Sequence, residues 1–423
     1  MWRIFLTVSL LCWSADGQVR EVKCRNDKDE PVDWYIIYKA PGLHEINTDG
    51  LEYIYIDSKE KKKQTSEDHD KRINDPKGVL ANTLKPIFKL IKDMPKDFGF
   101  ISYSDQPPAV NGVKPSVAST FGHSKGVVMM DKTTGVWLSH SVPQFPFERD
   151  NNFWPSTGAV NAQTFICVTF KYNQFNKIGQ HLLDIKAFPF DHHIPKDTNA
   201  NFHKELIQVT EKKSTPGKKI QELTSDAGTP FRSIAKEQYK KPTPTTTRQE
   251  TLKDSKRFGG DLYLTIAETY TAIKKINTDV RVQTWGQQCY REGSYCERNQ
   301  RQVINIKSVK ADLGKENDKW EVEWEPCNDH SKWCVATDNN NNLICIADVN
   351  RAVTQYERPG GALCFEHQQA SDLFKGLIAG TKNCPSPAAL KRRHSSPDLS
   401  QYFASKKPKL DPGSDSNNEC DIE

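Results

Sequence analysis

The sequence predicts an α/β protein made of two related halves, and three observations predict it. Short β-rich runs bounded by turn residues are interleaved with a segment of helical periodicity. The chain has 423 residues, enough for two core-bearing halves. One strand–turn–strand pattern occurs twice, opened each time by His-x-Lys. Hydrophobic content of 36% and charged content of 27% are ordinary for a globular protein. A formal net charge of only +5 excludes a global polycation, so any nucleic-acid surface must be local.

The elements follow in chain order. Arg3 precedes an apolar run from Ile4 to Trp13, and Ala15-Asp16-Gly17 supplies small residues for cleavage. Residues 1–17 therefore read as a signal peptide, with Gln18 as the mature start. That run is too short to span a bilayer, and no later segment reaches about 18 apolar residues, so no membrane anchor is expected. Residues 18–235 form the expected N-terminal half. Its strands are Val32–Tyr38, Phe98–Tyr103 and Ala162–Phe170, and Asn82–Lys92 is expected to be helical, with Leu84, Ile87, Phe88 and Ile91 on one face. Residues 236–256 are polar, with Pro242 and Pro244 among threonines, and read as a linker or loop. Residues 257–385 form the C-terminal half. Residues 386–423 hold almost no large apolar side chains and switch from basic to acidic, as a disordered charged tail does.

Cysteine usage fits an oxidising compartment. Of the 11 cysteines, all but Cys12 lie beyond the signal peptide, and eight follow residue 288. A zinc site from Cys289, Cys296, Cys327 and Cys334 is disfavoured, because its six-residue spacings exceed those of the usual knuckle. The chain has no Asn-x-Ser/Thr sequon, only the variant Asn418-Glu419-Cys420.

The repeat carries the chemistry. His123-Ser124-Lys125 is followed by five residues and then Asp131; His330-Ser331-Lys332 is followed by five residues and then Asp338. Each copy continues through a turn into a second apolar run, Val136-Trp137-Leu138 or Leu343-Ile344-Cys345-Ile346. At the same offset Ser141 falls on Asp348 and Pro143 on Asn350. On a strand, residues i and i+2 project to one side, so His123 points with Lys125 and His330 with Lys332. Packed about a pseudo-twofold axis, two imidazoles and two ammonium groups would converge on one phosphodiester. The lysines would neutralise its non-bridging oxygens, where other nucleases use a divalent ion. One imidazole would attack phosphorus and the other protonate the leaving oxygen. A single His-x-Lys is commonplace on a solvated strand face, so the matched pair is what points to chemistry.

The chain resembles the deoxyribonuclease II family over roughly residues 20–385. The resemblance rests on Cys24-Arg25-Asn26, Pro31-Val32-Asp33-Trp34, Tyr38-Lys39, Tyr103-Ser104-Asp105-Gln106-Pro107-Pro108 and Gly122-His123-Ser124-Lys125-Gly126. It continues through Trp137-Leu138-Ser139-His140-Ser141-Val142-Pro143, Phe258-Gly259-Gly260-Asp261-Leu262-Tyr263, Asp329-His330-Ser331-Lys332-Trp333 and Asp348-Val349-Asn350-Arg351. It implies a phospholipase D-like pseudodimer of mixed sheets flanked by helices. The implied activity is endonucleolytic hydrolysis of double-stranded DNA at acid pH, without metal or other cofactor. Catalysis would run through a phosphohistidine and leave 3′-phosphate and 5′-hydroxyl ends. By that analogy His123, Lys125, His330 and Lys332 are catalytic, while His140, Ser141, Asp348 and Asn350 line the site or contact phosphate. The phospholipase D pattern places Asp after four residues, whereas Asp131 and Asp338 follow after five. Its Gly-Ser-x-Asn element is matched only in part, by His140-Ser141-Val142-Pro143 and Ala347-Asp348-Val349-Asn350. The family's disulfides imply Cys24 with Cys167, Cys345 with Cys364, and Cys384 with either Cys289 or Cys296.

Other readings remain open on the residues. One is a secreted, toxin-like homologue delivering its nuclease to target cells; another is a nucleic-acid- or cell-binding protein without turnover, which two intact His-x-Lys motifs oppose. A lipid-cleaving relative would fit the motif but not the flanking stretches. Secretion is the expected destination, with the lysosome as the alternative. Lys391-Arg392-Arg393 and Lys406-Lys407-Pro408-Lys409 match a bipartite nuclear-import pattern.

Overall fold

The computed structural model describes residues 21–59, 62–195, 202–239, 260–288, 290–296, 301–315, 317–382 and 384. The expected signal peptide, the tail with its basic clusters, most of the linker, and Cys289 and Cys420 lie outside the described residues.

The protein is mixed α/β, built on two large sheets. A short ladder, β1 (Cys24–Arg25) with β2 (Pro31–Val32), precedes them. The first sheet holds β3 (Trp34–Lys39), β4 (Tyr53–Asp57), β5 (Gln64–Thr65), β6 (Gly99–Ser104), β7 (Lys125–Met130), β8 (Thr134–His140), β9 (Gln163–Lys171) and β10 (Pro189–His193). Its order is β10-β6-β7-β8-β9-β3-β4-β5, antiparallel throughout. The second sheet holds β11 (Lys219–Thr224), β12 (Pro230–Ala235), β13 (Val280–Gln283), β14 (Val303–Asp312), β15 (Glu321–Trp324), β16 (Trp333–Ala336), β17 (Leu343–Ala347), β18 (Gly361–Glu366) and β19 (Ile378–Thr381). Its path is β11-β12-β18-β17-β16-β13-β14-β15, with β19 on β14, and only β13 and β14 run parallel.

The repeat seen in the sequence is a repeat of topology. The run β6-β7-β8-β9 followed by the helix Phe175–Asp184 matches β13-β16-β17-β18 followed by the helix Gln368–Gly376. The shared aspartates serve the hairpin turns: Asp131 accepts the Thr133 and Thr134 N–H groups, and Asp338 that of Asn340.

Central strands are buried on both faces, which is why they read as continuous apolar runs rather than alternations. In β3, Trp34, Ile36 and Tyr38 face the core between the sheets, and Tyr35 and Ile37 the opposite layer. The inner core joins Val128, Trp137 and Val168 of the first sheet to Trp333, Ile344 and Phe365 of the second, with Leu182 and Phe374 from the two repeat helices. Trp34 meets Phe365 edge-on at 5.1 Å between centroids, and Tyr38 stacks on Phe374 at 5.8 Å. Each such side chain contributes on the order of 2–3 kcal/mol by burial. The helix Val79–Leu84 covers the outer face of the first sheet, and Leu262–Lys274 that of the second.

Two expectations change. The helix expected over Asn82–Lys92 runs from Val79 to Leu84 and gives way to 3-10 turns, because Pro86 lacks an N–H and crowds the preceding turn. Ile91, expected on one face with Leu84, Ile87 and Phe88, is 40% exposed. β11 and β12 precede the boundary expected at residue 235, yet β12 pairs with β18 in the second sheet. Lys236, assigned to the linker, is buried and continues that ladder by donating its N–H to Gly360.

Disulfides join Cys24 to Cys167 and Cys345 to Cys364, as the resemblance implies, and Cys384 pairs with Cys296. Cys327 is also disulfide-bonded, and Cys334 is a buried free thiol. Among the described residues, no helix is long and apolar enough to cross a membrane.

Candidate active site

Both motifs sit at equivalent places. Lys125 opens β7, with His123 just before it; His330 and Lys332 lead into β16. Each histidine backbone is held by the opposite half: the His123 N–H donates to Pro359 at 3.1 Å, and the His330 N–H to Ala162 at 2.9 Å. Ala162 leads into β9 and Pro359 approaches β18, so the two clamps cross between the sheets. Gly122, just before His123, packs against the end of the helix Phe175–Asp184, donating its N–H to Lys186 at 2.9 Å. A Cβ there would lie 2.0 Å from the Ile185 carbonyl oxygen, so only glycine fits without moving backbone.

Asp105, at the end of β6, organises the first motif. Its carboxylate lies 2.7 Å from Lys125 Nζ, 3.1 Å from Arg358 Nη2 and 3.9 Å from His123 Nδ1. Arg358, from the second half, also reaches within 3.4 Å of His123 Nδ1. Burial alone would raise the Asp105 carboxyl, but Lys125, His123 and Arg358 outweigh it and hold it well below the usual carboxylate range.

The second motif is held by Asp329 and Trp285. Asp329 is fully buried; it accepts hydrogen bonds from the Tyr38 hydroxyl of the first half, from Trp324 Nε1 at 2.9 Å and from the Ser331 N–H at 2.8 Å. Trp285 packs on the His330 ring at 4.6 Å between centroids. Asn350 accepts the Trp285 backbone N–H at 3.3 Å and donates to Gln288 at 3.0 Å, while the indole Nε1 donates to the Cys327 carbonyl at 3.2 Å.

The two motifs share one electrostatic environment. Burial pushes His123 well below its usual range; Asp105 opposes this, and Lys125, Lys332 and Arg358 add to it. Burial, Lys332, Lys125 and Lys39 lower His330 to about 3. Each imidazole thus feels both motif lysines. Lys332, donating to the His330 carbonyl at 2.5 Å, is lowered to about 7 by burial and then by Lys125. Burial raises Asp348 to about 7 against the pull of the Gly361 N–H, Lys125 and Lys332. The roles expected from the sequence, one imidazole attacking and the other donating a proton, need opposite charge states, whereas in the free site both are driven neutral, since both are buried beside cations.

The remaining candidates divide. Asp348 belongs to the cluster and accepts the Gly361 N–H at 3.2 Å. His140 is buried between Phe145 and Phe165, at 4.8 and 5.5 Å, and close enough for Lys125 to depress it further. The Ser141 hydroxyl is committed to Gln163 at 2.5 Å and to the Thr164 N–H at 3.0 Å. The sequence reading missed Asp105, Arg358, Trp285 and Asp329 as site residues. Asp105 and Asp329 stood within the stretches that carry the resemblance, and Arg358 beside the turn signal Pro359-Gly360-Gly361. Asp261 and Arg351, from other such stretches, are structural: Asp261 caps the helix Leu262–Lys274 and binds Arg351 Nε at 2.8 Å. Among the described residues, no group of three or more His, Cys, Asp or Glu side chains is placed to hold a metal ion.

Along most of its length the chain is similar to known proteins. The family model described as Deoxyribonuclease II matches residues 23–384. Deoxyribonuclease-2-beta of Homo sapiens is 29% identical over 374 residues, covering 86% of this chain and 92% of that protein. Deoxyribonuclease-2-alpha of Sus scrofa is 29% identical over 386 residues, covering 90% and 94%. Plancitoxin-1 of Acanthaster planci is 28% identical over 387 residues, covering 90% and 97%. A match across nearly all of the described fold, with both His-x-Lys motifs inside it, establishes the chain as a deoxyribonuclease belonging to the deoxyribonuclease II family.

Proposed function

We propose that the protein is a secreted, metal-independent acid endonuclease whose two halves form a phospholipase D-like pseudodimer around one DNA phosphate. The observation that carries this reading is the mutual reach of the motifs: Lys332 acts on His123 and Lys125 on His330, while each histidine backbone is clamped by the other half.

In this reading Lys125 and Lys332 neutralise the non-bridging oxygens of the scissile phosphate. One imidazole attacks phosphorus, and a P–N bond forms as the bond to the 5′-oxygen breaks. The second imidazole, as imidazolium, gives its proton to that oxygen, leaving a 5′-hydroxyl. It then takes a proton from water, which attacks the phosphohistidine and releases a 3′-phosphate with the first imidazole restored. Both imidazoles are neutral in the free site, and the entering phosphate anion supplies the opposite charge that favours protonating one of them. Below pH 7 Lys332 is charged and Asp348 neutral, which supports an acid optimum.

The similarity to Plancitoxin-1 favours a second role, in which the same nuclease is secreted as a toxin. The disulfides suit an oxidising compartment. The test is plasmid cleavage in chelator at pH 5 and pH 7.5, with analysis of the ends. We expect stronger cleavage at pH 5, unaffected by chelator, giving 3′-phosphate; loss of cleavage in chelator, or 5′-phosphate ends, contradicts the mechanism.

A further inference from the structure

Lys39 ends β3 and Lys236 follows β12, the two strands that pair with the fourth repeat strand of each sheet, β9 and β18. Their registers correspond. The Ser141 N–H donates to Thr164 and Lys39 lies opposite Gln163, one residue earlier; the Asp348 N–H donates to Gly361 and Lys236 donates to Gly360, again one residue earlier. The repeat therefore superimposes Lys39 on Lys236, and Ala159 and Ala162 on Tyr356 and Pro359.

Both ammonium groups are spent on main-chain carbonyls. Lys39 Nζ donates to Ala40 at 2.6 Å, Gly50 at 2.9 Å and Ala159 at 3.3 Å. Lys236 Nζ donates to Tyr356 at 3.0 Å and Glu237 at 3.3 Å. Ala159 stands three residues before Ala162, which holds His330; Tyr356 stands three residues before Pro359, which holds His123. Lys39 and Lys236 are 0% and 2% exposed. A buried ammonium is costly, and here it recurs at two related positions with the same chain of contacts, so it goes with what repeats: the loop and the histidine behind it.

We propose that Lys39 and Lys236 are a crossed pair of positioning residues: each fixes, through carbonyls of its own half's loop, the motif histidine of the other half. The proposal rests on the two-motif reading of the site. Three N–H donors suit convergent carbonyls in a way that no neutral side chain of this length matches. Burial lowers Lys39 to about 7 against Glu52, Asp329 and Asp49; burial likewise lowers Lys236 to about 7, with Asp261 opposing and Arg358 adding. Both are charged, with all three donors present, in the acid range.

Lys39→Met and Lys236→Met keep the volume and remove the donors. The assay is steady-state plasmid cleavage at pH 5 by the full chain, with far-ultraviolet circular dichroism and NMR of the histidine rings. We expect kcat to fall at least about tenfold, as small misplacements of a reacting group do, with KM within about threefold and the fold retained. The ring signal of His330 should move in Lys39→Met and that of His123 in Lys236→Met. Should a methionine variant fail to fold, Lys→Gln at the same position, which keeps a donor without the charge, carries the same test. A kcat within twofold of the parent, or ring shifts on the same half as the substitution, would overturn the proposal. His123→Ala and His330→Ala run alongside separate the two ideas. Inactive alanine variants beside fully active methionine variants overturn the clamp alone, whereas active alanine variants overturn the site reading beneath it.

Discussion

Asp105→Asn tests how the first motif is held together. The substitution leaves shape and one acceptor in place but removes the charge that faces Lys125 at 2.7 Å, Arg358 at 3.1 Å and His123 at 3.9 Å. The side chains of Asp105 and Lys125 are 5% and 3% exposed, so solvent cannot take over the lost charge. Removing one partner from a buried pair costs about 3–5 kcal/mol, and because asparagine still accepts from Lys125 the lower end, about 3 kcal/mol, is expected. The folded Asp105 carboxyl is depressed, so its contribution is fully present above the unfolded pKa of ~3.9 and fades as pH falls through the lower folded value. Urea unfolding of parent and variant should therefore give the same difference at pH 7 and pH 5, shrinking by pH 3. Cleavage should fall about 10²-fold, since Lys125 and Arg358 lose their anchor and His123 the carboxylate beside it. A penalty under about 1 kcal/mol, a larger one at pH 3 than at pH 5, or parental activity would refute this placement of Asp105.

Two further outcomes follow from the same geometry. The pH profile of kcat/KM in chelator should fall as pH rises through about 7, where Lys332 loses its charge and Asp348 gains one, and again toward about 3, where His330 is protonated. Nicking that stays level to pH 9 would contradict it. Deleting residues 386–423 should leave cleavage within twofold of the parent, because the family match ends at residue 384, as does the last disulfide among the described residues. A truncated protein that folds without cutting would move the catalytic boundary.

What the sequence made legible was local. The His-x-Lys hairpins could be read because a strand's two-residue period and an aspartate-capped turn are written in neighbouring residues. Two disulfide pairs came from family likeness, and the partner of Cys384 needed the fold, since Cys289 and Cys296 are equivalent by spacing. The helix after Asn82 was overextended because apolar periodicity outweighed Pro86. β11 and β12 read as part of the first half because chain order was the one available guide, and nothing local reveals that a strand crosses to the other sheet. The same limit hid Asp105 with Arg358 and Tyr38 with Asp329, pairs that meet only when the halves pack. Burial hid the charge state of the histidines: unperturbed imidazoles suggest opposite protonation, whereas the enclosed site depresses both.

The central claim is that the two motifs form one catalytic unit, and the most direct measurement compares His123→Ala, His330→Ala and the double variant in chelator at pH 5. Members of one nucleophile–acid unit are strongly non-additive. Each single variant should lose nearly all plasmid cleavage while remaining folded, and the double should be little worse than either. Near-normal cleavage by one single variant, or losses that multiply in the double, would show that the motifs act apart and contradict the account.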